Sequence, residues 1–313
     1  MITGNKGEWS EVYTLLKIIS DKNLFTGDSN LRRIEQLIFP IVKILREESN
    51  NNLEFSEDND IVLISNNEEI FRIPINSFKE KSIILLSKLK EKTNTTFSIP
   101  EIEDFMNSFK SNSIKAKSTS KSDIKIVIHD QRTGTTPILG FSIKSQLGGA
   151  STLLNAGKTT NFIYKINNNK IDERLINQID TKSKIKDRIS KILELNGEFN
   201  FIQTESSIFE NNLMLIDSAL PNILGQLLLI FNTTNKSKIS DLISEINRIN
   251  PMKFNLEHNH PFYTYKIKRF LTDIALGMMP SKVWTGELDA TGGYLIVKED
   301  GEVLCYHIYN RNE

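Results

Sequence analysis

Cysteine occurs once in the 313 residues, at Cys305. A single thiol excludes an internal disulfide and a cysteine-rich zinc site, and it fits a reducing cytoplasm. Asn-x-Ser/Thr triplets such as Asn94-Thr95-Thr96 then carry no meaning as glycosylation sites. Long apolar runs are missing as well. No stretch of about eighteen apolar residues occurs, and Met1 to Glu11 has no apolar signal core, so the sequence predicts neither a membrane-spanning nor an exported chain. Nor does either charge dominate. The 39 basic and 39 acidic residues balance, which leaves local clusters as the only basis for binding a polyanion.

What is present suffices for a sizeable core, since 39% of the residues are hydrophobic. Helical periodicity covers residues 8–19, 31–47, 78–91, 101–108, 182–195, 206–231, 239–249 and 262–276. Strand patterns cover 61–65, 69–73, 122–130, 138–145, 161–166, 199–203, 294–298 and 303–309. Strands interspersed with helices predict a mixed α/β or α+β fold rather than a barrel. Glu299-Asp300-Gly301 marks a hairpin turn between the last two strands. The Ser-, Lys- and Asn-rich stretch 108–122 reads as a connection into the strand that follows.

That strand carries the chemistry. Side chains two apart share a strand face, so 122–130 separates Ile124, Ile126 and Ile128 from Asp123, Lys125, Val127 and His129. In 141–146 the same rule separates Phe141, Ile143 and Ser145 from Ser142, Lys144 and Gln146. The polar segment 131–137, with Gly134 and Pro137, is short enough to join the two strands as neighbours. Asp123 then meets the Ser142, Lys144 and Gln146 row. A carboxylate beside a lysine suits phosphodiester hydrolysis, in which a hard cation is held by oxygens and a lysine orients the attacking water. One carboxylate is a thin magnesium site, and the Ser142 hydroxyl is a weak ligand. Read without context, such charges merely decorate an exposed strand.

Two basic segments, from Lys110 to Lys125 and Lys266-Ile267-Lys268-Arg269, offer phosphate contacts or ordinary solvated faces. Gly157-Lys158-Thr159-Thr160 echoes a phosphate-binding loop but lacks its earlier glycine and precedes a strand, so it reads as a turn. Glu257-His258-Asn259-His260 has no partner acid or histidine motif and reads as a helix entry. His129 reads as a satisfied structural histidine that shares the face of Asp123.

Asp123 with Ser142-Ile143-Lys144 resembles a variant of the P-D…(D/E)-x-K nuclease core, with serine where an acid is usual. More specifically, GNKGEWSEVYTLLK, SDIKIVIHD, GFSIKSQLGGASTLLNAGKTTNFIYKI and DATGGYLIVKEDGEVLCYHIYNRN resemble the HpaII family of type II restriction endonucleases, from about residue 4 to the C-terminus. The resemblance implies a restriction-endonuclease-like core with a central mixed sheet flanked by helices, plus helical additions. Residues 1–166 would form the nuclease core, with N-terminal helices and the catalytic strands, and 167–313 a helical region with a C-terminal hairpin that makes one compact unit with the core. It implies Mg2+ as cofactor, double-stranded DNA with a CCGG-like palindrome as substrate, a homodimer, and a cytosine methyltransferase acting on the same site.

Asp123 would bind the metal and Lys144 would position the water. Glu11 on the first helix, then Gln146, then Glu8 are the candidates for the missing ligand. Glu8 and Glu11 equally suit a helix N-terminus. Ser145, Gln146, Ser151, Asn155, Lys158 and Asn161 are candidate DNA contacts. The alternative is a DNA-binding or structural relative without cleavage, because Ser142 replaces the acid or because the chain ends at Arg311-Asn312-Glu313, where the family is expected to continue.

Overall fold

The structure, a computed structural model, describes residues 2–48, 51–66, 69–115, 122–149, 157–168, 171–288 and 290–307. In chain order its elements begin α1 (Lys6–Asp21), β1 (Asn23–Gly27), β2 (Arg33–Glu47), β3 (Asn52–Asp58), β4 (Ile61–Ser65), β5 (Ile70–Pro74), α2 (Ile75–Glu91) and α3 (Pro100–Asn107). There follow β6 (Ile124–Ile128), β7 (Ile138–Ser145), β8 (Phe162–Ile166), α4 (Glu173–Asn177), α5 (Lys184–Glu194) and β9 (Phe199–Thr204). The remaining elements are α6 (Ser207–Ile216), α7 (Leu220–Thr233), α8 (Ile239–Ile249), α9 (Phe262–Leu276), β10 (Gly293–Val297) and β11 (Val303–His307). Two compact units result, Met1–Thr152 with Leu288–Glu313, and Leu153–Glu287.

The first unit is a mixed sheet in the order β1-β11-β10-β7-β6-β2-β3-β4-β5. Parallel pairs (β1 with β11, β10 with β7) alternate with antiparallel ones. β2 also pairs with β1, so six strands complete a circuit and β3 to β5 extend from it. One face is apolar. Ile124, Ile126, Phe141, Ile143, Leu295 and Val297 are buried there with Trp9, Val12, Tyr13 and Leu16 of α1. α1 starts where its sequence says it should: the Asn5 side chain accepts from the Glu8 amide at 3.0 Å, and Glu8 accepts from the Asn5 amide at 2.9 Å. The Trp9 indole donates to the Phe97 carbonyl at 3.0 Å, satisfying the polar atom of a fully buried ring.

Residues 31–47, expected as a helix, instead form the long strand β2, and β1 and β3 beside it were not anticipated. Apolar residues at 34, 37, 38, 41 and 45 mimic a helical stripe. Pro40 decides against it, because inside a helix it lacks the required N–H and clashes with the preceding turn. In the strand its carbonyl accepts from the His129 amide at 2.8 Å. β6 stays paired with β2 across an irregularity between Ile41 and Lys43, while β1 pairs with β2 up to Pro40 and β3 from Lys43 onward. The expected helix 206–231 also divides, with α6 and α7 meeting at 107°. Asp217 accepts from the Ala219 amide at 2.9 Å and Pro221 opens α7.

The hairpin at Glu299-Asp300-Gly301 forms as expected. Gly301 has φ +97°, and a Cβ there would lie 2.3 Å from Leu86 and 2.8 Å from the Tyr13 hydroxyl, which donates to the Gly301 carbonyl at 2.5 Å. Gly301→Ala is therefore expected to destabilise the fold by more than about 1 kcal/mol. Denaturant unfolding reads this; an unchanged midpoint would contradict it.

The second unit pairs β8 with β9 antiparallel and surrounds a separate core of Phe209, Leu213, Leu220, Ile223, Ile246, Tyr263 and Ile267. No single helix among the described residues is long and apolar enough to cross a membrane.

Candidate active site

β6 and β7 pair antiparallel with Ile124 opposite Phe141, which brings Asp123 to β7. The ladder changes character at that point. The Asp123 amide donates to the Phe141 carbonyl at 2.8 Å, and the Asp123 carboxylate itself accepts from the Ile143 amide at 2.7 Å. A side chain thus takes the place of the next ladder carbonyl, and it sits at the end of β6 beside the open edge of β7. A charge-assisted bond of this kind fixes the carboxylate between Ser142 and Lys144 in sequence.

Ser142 is buried, Asp123 and Lys144 are half-buried, and Gln146 is exposed. Ser142 and Lys144 lie opposite Tyr294 and Ile296 of the parallel strand β10, so the four share the face away from α1. The Gln146 amide donates to the Val297 carbonyl at 2.8 Å, which continues this alternation one step further. Lys144 enters no ion pair among the described residues, and its ammonium is available to an incoming anion.

The other candidates divide by what holds them. Glu8 is the reciprocal half of the helix cap and pairs with Lys115 at 3.1 Å. Burial pushes its carboxyl up, but the Asn5 amide and the Lys115 ammonium outweigh that and hold it below the usual carboxylate range. A depressed carboxyl contributes stability that is complete above its unfolded value and fades as pH falls through the folded one. Lys115→Ala should therefore raise the Glu8 midpoint in an NMR titration, and an unmoved midpoint would count against the pair.

Glu11 is half-buried on α1, next to Ser10, whose hydroxyl meets that of Ser145 at 2.9 Å. Ser145 also accepts from the Leu147 amide at 3.1 Å, so it faces the helix and stitches α1 to β7. Lys158 lies exposed in a 3-10 turn ahead of β8, as the turn reading expects, and the Asn161 amide donates to Glu205 at 2.7 Å. Both belong to the second unit. Ser151 and Asn155 lie outside the described residues.

Of the basic segments, Lys110 pairs with Glu69 at 2.7 Å and Lys125 with Glu47 at 2.5 Å. Lys266 pairs with Asp217 and Arg269 with Asp273. These cations are largely engaged by the protein's own acids. The exposed rings of His258 and His260 stand 6.2 Å apart, but no group of three or more His, Cys, Asp or Glu among the described residues is arranged to hold a metal.

The donors at Asp123 nevertheless fit a hard cation that keeps several waters. Strand alternation turns the Ile143 carbonyl to the same edge as its amide, so a carbonyl oxygen as well as the Asp123 carboxylate is available on that edge.

A family model described as HpaII restriction endonuclease matches residues 5–313. The chain belongs to the HpaII restriction endonuclease family. It is 49% identical over 313 residues to "Type II restriction enzyme HpaII" of Haemophilus parainfluenzae, covering 99% of this chain and 87% of that protein. No solved structure matches the chain. As an HpaII-family member it is an enzyme, a site-specific DNA endonuclease of a restriction-modification system.

Within the HpaII-family chain, sequence reasoning did not place Tyr294 opposite Ser142, on the face of Lys144. The only available signal was its alternation with Ile296 in a strand whose partner lies some 150 residues earlier.

Proposed function

We propose that the protein is a Mg2+-dependent type II restriction endonuclease that hydrolyses both strands of a CCGG-like palindrome. The observation that carries the reading is the Asp123 carboxylate at the end of β6, beside the strand that presents Lys144. A divalent cation bound there would lower the pKa of a bound water and neutralise charge on the phosphate. Asp123 supplies the anionic oxygen for it and is kept in place by the Ile143 amide. Lys144 holds the water by hydrogen bonding and stabilises the negative charge that grows on the phosphate. Ser142, buried beneath them, spaces the row and replaces the usual acid.

The second protein ligand is assigned to Glu11 first and Gln146 next. Glu11→Gln should raise the Mg2+ concentration for half-maximal rate by about 10-fold or more, as loss of a metal-supporting group does. If Gln146→Ala produces the shift and Glu11→Gln does not, the assignment passes to Gln146.

Cutting both strands of a palindrome needs two sites related by a two-fold axis, which supports a homodimer on DNA. Gln146, Ser151, Asn155 and Lys158 remain the candidate base or phosphate contacts. A cytosine methyltransferase would protect the host's own sites. Digestion of plasmid DNA with Mg2+ tests the whole reading. Discrete fragments ending at unmethylated CCGG are expected, and no cleavage with any of several divalent metals would overturn it.

A further inference from the structure

Among the described tyrosines Tyr294 stands apart. Tyr13, Tyr164, Tyr263 and Tyr306 each donate their hydroxyl, to the Gly301 carbonyl, the Gly225 carbonyl, the Asn250 side chain and the Asp28 carbonyl respectively. Tyr265 is exposed and needs no partner. Tyr294 is half-buried, yet among the described residues its hydroxyl has no acceptor. That oxygen is not among the buried atoms left unpaired, so it is open to solvent and to a ligand's acceptor.

Its place in the sheet says which acceptor is missing. Tyr294 is the direct register partner of Ser142 and lies on the Lys144 face. It is brought there by a close approach at Gly292, whose amide donates to the Gly140 carbonyl at 2.7 Å and where a Cβ would lie 2.6 Å from the Phe141 ring. On the far side Tyr294 pairs with Tyr306, which is already committed to Asp28. The free O–H therefore belongs to the same polar row as Ser142 and Lys144.

We propose that Tyr294 is a further catalytic residue, donating its phenolic O–H to a non-bridging oxygen of the scissile phosphodiester. The proposal rests on the nuclease reading of Asp123 and Lys144. A neutral donor suits this place, because it stabilises charge growing on the phosphate. A phenol, with an ordinary pKa of about 10, keeps its proton at neutral pH.

The test is single-turnover cleavage of a duplex oligonucleotide by Tyr294→Phe, which retains the ring and removes only the donor. A rate reduced on the order of 10²-fold is expected, with DNA affinity in Ca2+ and melting temperature unchanged. A second measurement reads the contact itself. One phosphorothioate diastereomer at the scissile phosphate should slow the parent but slow Tyr294→Phe little further, as coupled perturbations do. A rate within twofold of the parent, a loss matched by weaker DNA binding or lower melting temperature, or fully additive sulfur effects would each overturn the proposal. Asp123→Asn and Lys144→Ala run alongside. If they cut like the parent, the reading of the site fails as a whole; if they stop while Tyr294→Phe cuts normally, only the role of Tyr294 fails.

Discussion

Lys144→Ala is expected to lower the single-turnover cleavage rate by about 10²- to 10⁴-fold while leaving DNA bound. The lower figure is the usual effect of losing one preorganised charge at a reacting phosphate, and the upper includes loss of proton transfer by a positioned side chain. Binding should change little, because affinity for duplex DNA is a sum over many phosphate contacts and one lysine contributes about one of them. The fold should also survive. Lys144 is half-buried, makes no ion pair among the described residues, and points away from the core that Phe141 and Ile143 fill. Rate and affinity measured on one variant separate the two roles. Equal losses in both would make Lys144 a phosphate anchor rather than a group that acts in the chemical step.

Glu48→Ala should cost the fold about 3–5 kcal/mol, the range for stripping one partner from a buried ion pair. Arg46 and Glu48 have side chains only 1% and 3% exposed and meet at 3.2 Å. Glu48 also accepts from the Ser111 hydroxyl at 2.5 Å and the Asn112 amide at 3.0 Å, and Arg46 donates to the Ser113 carbonyl at 2.9 Å. The pair thus ties the end of β2 to the segment that runs toward Asp123. One guanidinium nitrogen of Arg46 is already buried without a partner, so removal of Glu48 leaves a charge with almost no compensation. Arg46→Met with Glu48→Leu should be less damaging than Glu48→Ala alone, since neither charge is then stranded. Urea unfolding of the variants decides it; a cost below about 1 kcal/mol for Glu48→Ala would show that the network is inessential.

β6 and β7 were legible from their alternation. Ile124, Ile126 and Ile128 against Asp123 and Lys125, and Phe141 and Ile143 against Ser142 and Lys144, mark the core face, although Val127 and Ser142 on the other face are buried as well. α1 was legible from its apolar stripe, and the Asn5–Glu8 cap that the structure adds claims Glu8, the third candidate ligand. β2 was not legible, because its apolar spacing imitates a helix and only Pro40 argues otherwise. Its pairing with three different strands, β1, β3 and β6, depends on tertiary contacts that outweigh local propensity. Tyr294 was hidden for a related reason: a parallel partner far away in sequence has no local signature. The basic run from Lys110 to Lys125 read either as a solvated face or as phosphate contacts, and among its described residues Glu69, Glu8 and Glu47 stand beside Lys110, Lys115 and Lys125. Charge clustering in sequence does not reveal which acids the fold will set opposite.

The central claim is that the Asp123 carboxylate, held by the Ile143 amide at the end of β6, supplies the metal-binding oxygen for DNA cleavage. Asp123→Asn tests it most directly, because the amide keeps the size of the side chain and removes its charge. The measurement is single-turnover cleavage of an unmethylated CCGG duplex across a Mg2+ titration, with DNA affinity measured in parallel without divalent metal. The account predicts that Asp123→Asn binds the duplex as the parent does yet cuts on the order of 10³-fold more slowly or not at all, as expected when metal assistance is lost. Cleavage by Asp123→Asn at the parent's rate and Mg2+ requirement would contradict it.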